Sequence, residues 1–230
     1  MTDLHGEVEL FTLIRNNQGK RVDKTIIRNL YDKWAPTYDK DSSDLQLGGP
    51  SKSGALVRDL YQEKDISILD CGAGTGLVGT QLQRYGFTNI VAQDMSPKIL
   101  EAAKQKGIYR RVVCAEVGKE EMPFEDNEFD VLVCNGCIIP FHISPNCFPQ
   151  WIRIVKPGGH IVVVLRRCYV ELVEEEKCYY SPSLAESFEA NIRNLENCKK
   201  WEVISKEVFP GYLVEKEQAN EGIALVCKVL

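Results

Sequence analysis

Residues 66–79 read Ile-Ser-Ile-Leu-Asp-Cys-Gly-Ala-Gly-Thr-Gly-Leu-Val-Gly, an apolar run that ends in an aspartate and is followed at once by glycines. The apolar run predicts a short buried strand, and the pattern after the glycines predicts a helix over about residues 75–84. Gly72, Gly74 and Gly76 let the chain turn sharply and let a ligand lie against bare backbone, where the N–H groups of a helix start are free. The stretch therefore predicts a strand, turn and helix that hold a nucleotide-like cofactor.

The same stretch fits two cofactor fingerprints. From Gly74 it reads Gly-Thr-Gly-Leu-Val-Gly, the G-x-G-x-x-G pattern of dinucleotide-binding domains, and Asp94 follows 20 residues later in the place of a ribose-binding acid. From Asp70 it reads Asp-Cys-Gly-Ala-Gly-Thr-Gly, a longer and more specific pattern in which an acid closes the strand. An NAD-dependent oxidoreductase, with Tyr212 and Lys216 as its proton-transfer pair, stays open as the alternative at this point.

Length and composition predict one globular domain. The chain has 230 residues, of which 44% are hydrophobic and 27% are charged, and its net charge is −5. The acidic balance argues against a nucleic-acid-binding surface, which needs clustered Lys and Arg. The first residues do not resemble a secretory signal, and no apolar run approaches membrane-spanning length. We expect a soluble protein of the cytoplasm, with the nucleus as a second compartment.

Nine cysteines are scattered through the predicted strands. An odd number without regular spacing is typical of reduced core thiols. Cys134 and Cys137 form a C-x-x-C pair, but no second pair or histidine cluster follows at the spacing of a zinc site. No metal site is predicted.

Hydrophobic periodicity predicts alternating helices and strands after an N-terminal helical section. The predicted helices cover about residues 20–34, 48–61, 75–84, 96–103, 151–155, 170–177 and 184–195; the predicted strands cover 66–69, 89–93, 111–117, 129–134, 161–165, 201–209 and 221–229. Such an order predicts a doubly wound, Rossmann-like α/β sheet. Because no helix separates the last two strands, they should pair antiparallel, whereas dinucleotide-binding sheets are usually all parallel.

With these elements placed, nearly the whole chain resembles a class I S-adenosylmethionine-dependent methyltransferase, in the group that includes ubiquinone and menaquinone biosynthesis enzymes. The stretches that carry the resemblance are residues 31–39, 70–76, 93–97 and 122–131, followed by Lys-Pro-Gly-Gly at 156–159. The first stretch and the region after Trp201 resemble more particularly the Williams-Beuren syndrome chromosome region 27 methyltransferase-like proteins.

The resemblance implies a cofactor, S-adenosylmethionine, and roles for the residues that bind it. Asp70 and the backbone around Gly72 and Gly74 would face the methionine end of the cofactor, within a motif that also contains Cys71 and Gly76. Asp94 would accept both ribose hydroxyls, and Met95 would pack on the adenine.

Further positions follow from the same resemblance. Asn135, at the end of the fourth strand, would lie beside the methionine part of the donor. Trp34 and Tyr38 would cover the sulfonium with aromatic faces, although Trp34 also fits a plain core position in its helix. Relatives often place Gly-Asp after the third strand; here Glu116 stands in that region and is the candidate for holding the adenine amino group.

The acceptor side is less defined by the sequence. Methyl transfer is an in-line displacement that needs alignment and a dry cavity more than a nucleophile, so no catalytic residue is predicted. His142, just beyond the fourth strand, is the best candidate for work on the acceptor, which is a small molecule or a protein. Residues 1–45 are predicted to form a mobile helical cover, with Gly48 and Gly49 as its hinge. A non-catalytic methyltransferase-like partner protein is the remaining alternative.

Overall fold

The structure is a computed structural model that describes residues 5–17, 20–117, 121–173, 181–215 and 218–230. Its helices are α1 (His5–Asn16), α2 (Lys24–Trp34), α3 (Tyr38–Asp44), α4 (Gly49–Leu60), α5 (Leu77–Arg84), α6 (Pro97–Gln105), α7 (Phe148–Ile154) and α8 (Pro182–Asn197). Its strands are β1 (Ile68–Cys71), β2 (Ile90–Asp94), β3 (Arg111–Cys114), β4 (Phe129–Asn135), β5 (Val155–Arg166), β6 (Trp201–Glu215) and β7 (Gln218–Val229).

The strands form one sheet in the order β3-β2-β1-β4-β5-β7-β6. The first five are parallel, while β7 lies antiparallel between β5 and β6. The predicted fold class and the antiparallel ending are confirmed. Strand order reverses between β1 and β4, and in open sheets of this kind ligands bind beside that reversal, outside the carboxyl ends of the strands.

Both faces of the sheet are buried. Because side chains alternate between the two sides of a strand, neighbouring residues belong to different apolar layers. Leu69 and Leu132 belong to the larger apolar layer, which includes residues of α1, α2, α7 and α8. Ile68 and Val131 belong to the other layer, which includes residues of α4 and α5. The apolar strands are therefore packed between two helical layers, and only the strand ends and the connecting loops are available for a site.

Two sequences typical of turns lie inside strands. The strand predicted at 201–209 continues as β6 through Pro210 and Gly211, with a shifted register between Phe209 and Leu213. Proline is tolerated there because β6 is at the sheet edge, where its missing N–H leaves no ladder bond unmade. The Lys-Pro-Gly-Gly turn at 156–159 lies likewise within β5, beside a register shift between Phe129 and Val131.

The N-terminal section contains more structure than was predicted. The predicted helix at 20–34 begins at Lys24, and α1 and α3 precede and follow it. The predicted helix at 170–177 is not helical over 170–173, and its remainder lies outside the described residues. No helix of the described chain is both long and apolar enough to cross a bilayer.

The prediction that all nine cysteines are reduced was wrong in one place, because Cys168 is disulfide-bonded. Cys178 lies outside the described residues, and the other seven cysteines are free thiols. Over the described ranges, no group of three or more His, Cys, Asp or Glu side chains is arranged to hold a metal ion.

A carboxyl group is buried at the end of β1. The Asp70 side chain is 1% exposed, and its Oδ2 accepts a 2.6 Å hydrogen bond from the Tyr109 hydroxyl. The Tyr109 ring has room because Gly76 and Gly79 pack beneath it: a Cβ on Gly79 would lie 2.3 Å from the Tyr109 hydroxyl oxygen. Burial raises the pKa of Asp70 to about 7, although the bonds from Tyr109 and from the Gly79 backbone oppose that rise.

This buried acid predicts a pH-dependent stability. Between the unfolded pKa of roughly 4 and the folded pKa of about 7, the folded protein holds one more proton, so stability falls as pH rises through that window and levels off above it. Asp70→Asn removes the titration. We expect the stability of the wild type relative to Asp70→Asn to fall by about 2–3 kcal/mol from pH 5 to pH 8 in chemical unfolding.

The control for this prediction is Glu101→Gln, which changes an exposed acid on α6. Its stability difference from the wild type should be the same at both pH values. An Asp70→Asn difference that also stays constant with pH would show that the Asp70 carboxyl does not change its proton affinity on folding.

Candidate functional site

The chain leaves β1 through a turn in which Gly72, Gly74 and Gly76 all have positive φ, at +74°, +55° and +91°. A Cβ on Gly72 would lie 2.4 Å from Cys137 Sγ, so only glycine fits there. At Gly74 the described residues place no atom within 4 Å of the Cβ position, and this glycine lines a cavity. The turn therefore presents bare backbone to open space, as predicted from the sequence pattern.

Asp94 stands at the carboxyl end of β2 and connects this turn to the next helix. Its Oδ2 accepts from Gly74 N at 3.0 Å, and its Oδ1 accepts from Ser96 N at 3.0 Å. Burial raises the pKa of Asp94, while these backbone donors oppose the rise. A carboxylate has about four lone-pair sites, so two further hydroxyl groups can still donate to it.

We call the space above these residues the central cavity; the glycine turn, α2, α3 and the ends of β2 and β4 line it. Its aromatic wall comes from Tyr31 and Trp34 on α2 and Tyr38 on α3. The rings of Trp34 and Tyr38 meet edge to face with centroids 4.7 Å apart. Trp34 is also part of the buried core, and its Nε1 donates to Asp41 Oδ2 at 2.7 Å. The predicted core role and the predicted site position of Trp34 are thus both compatible with the structure.

Polar contacts hold the N-terminal helices over the cavity. Asp32 of α2 accepts from the Ser96 hydroxyl at 2.6 Å, directly beside Asp94. Asp39 of α3 accepts from the Thr75 hydroxyl in the glycine turn and pairs with Lys106 Nζ at 2.7 Å. The cover is therefore attached to the same loops that form the cavity floor.

Gly48 and Gly49, the predicted hinge, have a packing role in the structure. A Cβ on Gly48 would lie 2.1 Å from the Gly211 carbonyl oxygen, and one on Gly49 would lie 2.5 Å from Asn135 Oδ1. Gly48 N also donates to the Tyr212 carbonyl at 2.8 Å. The two glycines thus allow α4 to begin in close contact with β4 and β6.

The end of β4 contributes an unpaired acceptor. Asn135 lines the central cavity, and its Oδ1 is buried without a hydrogen-bond partner among the described residues. Cys137, two residues further, donates from Sγ to the Gly72 carbonyl at 3.4 Å, and Tyr212 of β6 completes this side of the cavity. Lys216, the second member of the Tyr-x-x-x-Lys pair, lies outside the described residues.

His142 is neutral and is held in one tautomer. Its Nδ1 lies 2.9 Å from the Pro140 carbonyl oxygen, which can only accept, so this nitrogen carries the proton. Its Nε2 lies 3.0 Å from the Tyr31 hydroxyl and accepts from it. Burial lowers the pKa of His142 to about 4, so the ring is neutral near pH 7. Phe141 just before it has a φ of +70°, a strained conformation that sets the direction of this loop.

The structure brings most of the predicted site residues together. Those that line the central cavity are Trp34, Tyr38, Gly72, Gly74, Asp94, Met95 and Asn135. The four others do not line it. Asp70 and Gly76 contact Tyr109, and Cys71 is buried in the larger apolar layer. The Glu116 carboxylate instead stabilises the charge of the Lys24 ammonium and so opposes the lowering of its pKa by burial. Sequence reasoning missed Tyr31, Cys137 and Tyr212 as lining residues because only tertiary packing places them here.

The lining suits S-adenosylmethionine. Gly74 presents bare backbone to the cavity, and a Cβ at this position would occupy the open space. The Asp94 carboxylate is available to two vicinal hydroxyls. The unpaired Asn135 Oδ1 is an acceptor for an ammonium group, and three aromatic faces suit a sulfonium cation. These residues would hold the ribose, amino-acid and sulfonium parts of the cofactor.

Comparison with known proteins gives the same assignment. Residues 69–163 match the family model of a methyltransferase domain. The chain is 30% identical over 176 residues to methyltransferase-like protein 27 of Homo sapiens, covering 76% of this chain and 67% of that protein. It is 28% identical to demethylmenaquinone methyltransferase of Chlorobaculum tepidum over 61% of this chain, and it spans about 60% of that relative's length.

The solved structures agree at the level of fold. A crystal structure of a SAM-dependent methyltransferase from Aquifex aeolicus superimposes with a TM-score of 0.58 at 18% identity, covering 85% of this chain and 97% of the other. The resemblance inferred from the motifs is confirmed, and the cofactor is S-adenosylmethionine rather than a nicotinamide dinucleotide. The chain belongs to the class I S-adenosylmethionine-dependent methyltransferases.

Proposed function

We propose that this methyltransferase acts on a small molecule or a protein side chain that enters the central cavity beside Tyr31 and His142. The observation that supports this is the arrangement of the cavity itself, in which the glycine turn and Asp94 form one side and Tyr31, Cys137 and His142 form another. The net charge of −5 further supports an acceptor other than nucleic acid.

The donor supplies a methyl group on positively charged sulfur, which makes the carbon electrophilic without help from a protein nucleophile. The residues of this chain then have to hold the two reactants in line and exclude water. Gly74 and Asp94 orient the donor side. The covering aromatics Tyr31, Trp34 and Tyr38 keep the reaction space apolar.

An acceptor that carries a proton needs a group to receive it, and Tyr31 with His142 is the pair best placed for this. The neutral His142 accepts from the Tyr31 hydroxyl through Nε2. A proton taken up by the Tyr31 oxygen would be matched by release of the tyrosine's own proton to His142, because the two groups share one hydrogen bond. The pair acts only where the acceptor is protonated.

We also propose that residues 1–45 move when the donor enters. The central cavity has a volume of about 170 Å³, whereas small-molecule sites usually measure roughly 300–1,000 Å³. Among the described residues, side-chain polar contacts from the cover to the rest of the chain come from Lys24, Tyr31, Asp32 and Asp39. The cytoplasm, with the nucleus as a second compartment, remains our proposed location. Seven of the eight described cysteines are free thiols, as is typical of a reducing environment, whereas Cys168 is disulfide-bonded.

The first test is calorimetric titration with S-adenosylmethionine, S-adenosylhomocysteine and NAD. We expect the two sulfur ligands to bind and NAD not to bind. Asp94→Ala removes both ribose acceptors and should weaken S-adenosylhomocysteine by about 2–4 kcal/mol, roughly 30-fold or more. Asp94→Asn keeps one acceptor oxygen and should lose less.

The matched control is Glu101→Ala on α6, an exposed acid near the same loop, which should bind as the wild type does. Thermal unfolding must show that each variant is folded, because Asp94→Ala also leaves the Gly74 and Ser96 N–H groups without their acceptor. Unchanged affinity in a folded Asp94→Ala protein would place the ribose elsewhere, and tight binding of NAD alone would overturn the proposed reaction.

The second test concerns the cover. Because ligand contacts stabilise segments that open easily, hydrogen exchange over residues 30–45 should slow on addition of S-adenosylhomocysteine, by about tenfold and more than in the sheet. Exchange in β7, which has no part in the cavity, serves as the internal reference. Equal exchange in the cover with and without ligand would make this segment ordinary packing and remove Tyr38 from the donor site.

A further inference from the structure

A second cavity of about 880 Å³ lies beside the central cavity and shares part of its wall. Lys24, Ile139, His142 and Ile143 line both. The rest of the second cavity is formed by the segment before α2, the loop after β4 and the start of α8. A molecule in it would therefore adjoin the reaction space across the His142 ring.

The charge of this cavity is opposite to that of the protein. Its charged lining side chains among the described residues are Lys20, Arg21 and Lys24, with no Asp or Glu among them, whereas the whole chain has a net charge of −5. Lys24 donates to the His142 carbonyl, and burial lowers its pKa while the Glu116 carboxylate opposes that change. Lys20 and Arg21 are exposed and stand at the outer side.

Hydroxyl groups complete the polar part of the lining. Ser144 Oγ accepts from Asn146 N, and Ser181 Oγ accepts from Leu184 N at the start of α8. A hydroxyl oxygen that accepts one bond still has its own proton to donate. The α8 start itself adds a positive dipole end to a cavity that already contains three cations.

The remaining wall is apolar, with Ile14, Val22, Phe141 and Leu184 among the lining residues. Cations and hydroxyl donors on one side and aliphatic and aromatic surface on the other suit an organic anion with an apolar body. The proposed function requires a second substrate within reach of the central cavity, and this cavity is adjacent to it.

We propose that the methyl acceptor is a small organic anion whose carboxylate or phosphate group binds Lys20, Arg21 and the serine hydroxyls of the second cavity. The inference rests on the proposed methyl transfer, since it assigns the acceptor for that reaction. The acceptor's apolar part would extend past His142, so that its methyl-accepting atom enters the central cavity.

The test begins with binding of simple probes to the protein saturated with S-adenosylhomocysteine. Benzoate represents a carboxylate with an apolar body, and inorganic phosphate represents the other anion. We expect at least one to bind, and the double variant Lys20→Gln/Arg21→Gln to weaken it at least fivefold. The matched control, Lys199→Gln/Lys200→Gln, removes the same charge from an exposed doublet that lines neither cavity and should bind the probe as the wild type does.

Reaction with labelled S-adenosylmethionine and a cell extract then tests the acceptor. The labelled product should be a small molecule that anion-exchange resin retains, and its yield at low extract concentration should fall with Lys20→Gln/Arg21→Gln. Benzoate binding points to a carboxylate acceptor and phosphate binding to a phosphorylated one. Label in a neutral or cationic product or in protein, or equal probe affinity in wild type and double variant, would overturn the inference.

The affinity for S-adenosylhomocysteine, measured separately in each protein, distinguishes failure of the proposed methyl transfer from failure of the acceptor assignment. If S-adenosylhomocysteine does not bind the wild type, the proposed function fails. If it binds wild type and double variant equally while the probes show no preference, the donor site is correct and only the assignment of the acceptor fails.

Discussion

The carboxylate of Asp94 is the contact on which the arrangement of the site depends. One oxygen accepts from the glycine turn after β1 and the other from the Ser96 N–H that precedes α6. Because these bonds are partly buried, losing them would leave polar atoms without their protein partners, at a cost of up to about 1–3 kcal/mol for each. Gly72 N and Ala73 N, which both donate to the Gln93 carbonyl, reinforce the same connection. The spacing of the two loops is therefore set before any ligand binds.

The cover depends on the same point. The Ser96 side chain caps α6, accepting from Ile99 N, and donates to Asp32 of α2. The second polar contact, between Asp39 and Lys106, is partly exposed, and such ion pairs contribute about 0–1 kcal/mol. Apolar packing of α1 and α2 in the larger core layer supplies the rest of the attachment energy, while the aspartates and the bonds from Lys24 and Tyr31 to His142 set where the cover lies.

The sequence was informative wherever the cause is local. Strand and helix positions from β1 to β4 followed from periodicity, and the ligand-facing backbone of Gly74 followed from its neighbours. Asp70 shows the limit: in a strand, alternate side chains face opposite sides, so Asp70 points away from the layer that holds Leu69 and Cys71 and meets Tyr109. The contact between Tyr31 and His142, 111 residues apart, depends on how the cover packs and has no local signal.

The two cavities on either side of the His142 ring differ in charge. The central cavity contains the Asp94 carboxylate and suits a cationic donor, whereas Lys20 and Arg21 line only the second cavity and Lys24 lies in the wall that the two share. Attraction between a sulfonium and an anion in direct contact would be strongest before methyl transfer, since the sulfur loses its charge in the reaction, and would therefore raise the barrier. Placing the anionic group beyond a neutral ring avoids that contact while the cations still bind the acceptor. The low pKa of His142 keeps the ring uncharged while the donor and the acceptor bind, so that it separates their two charges without adding a third.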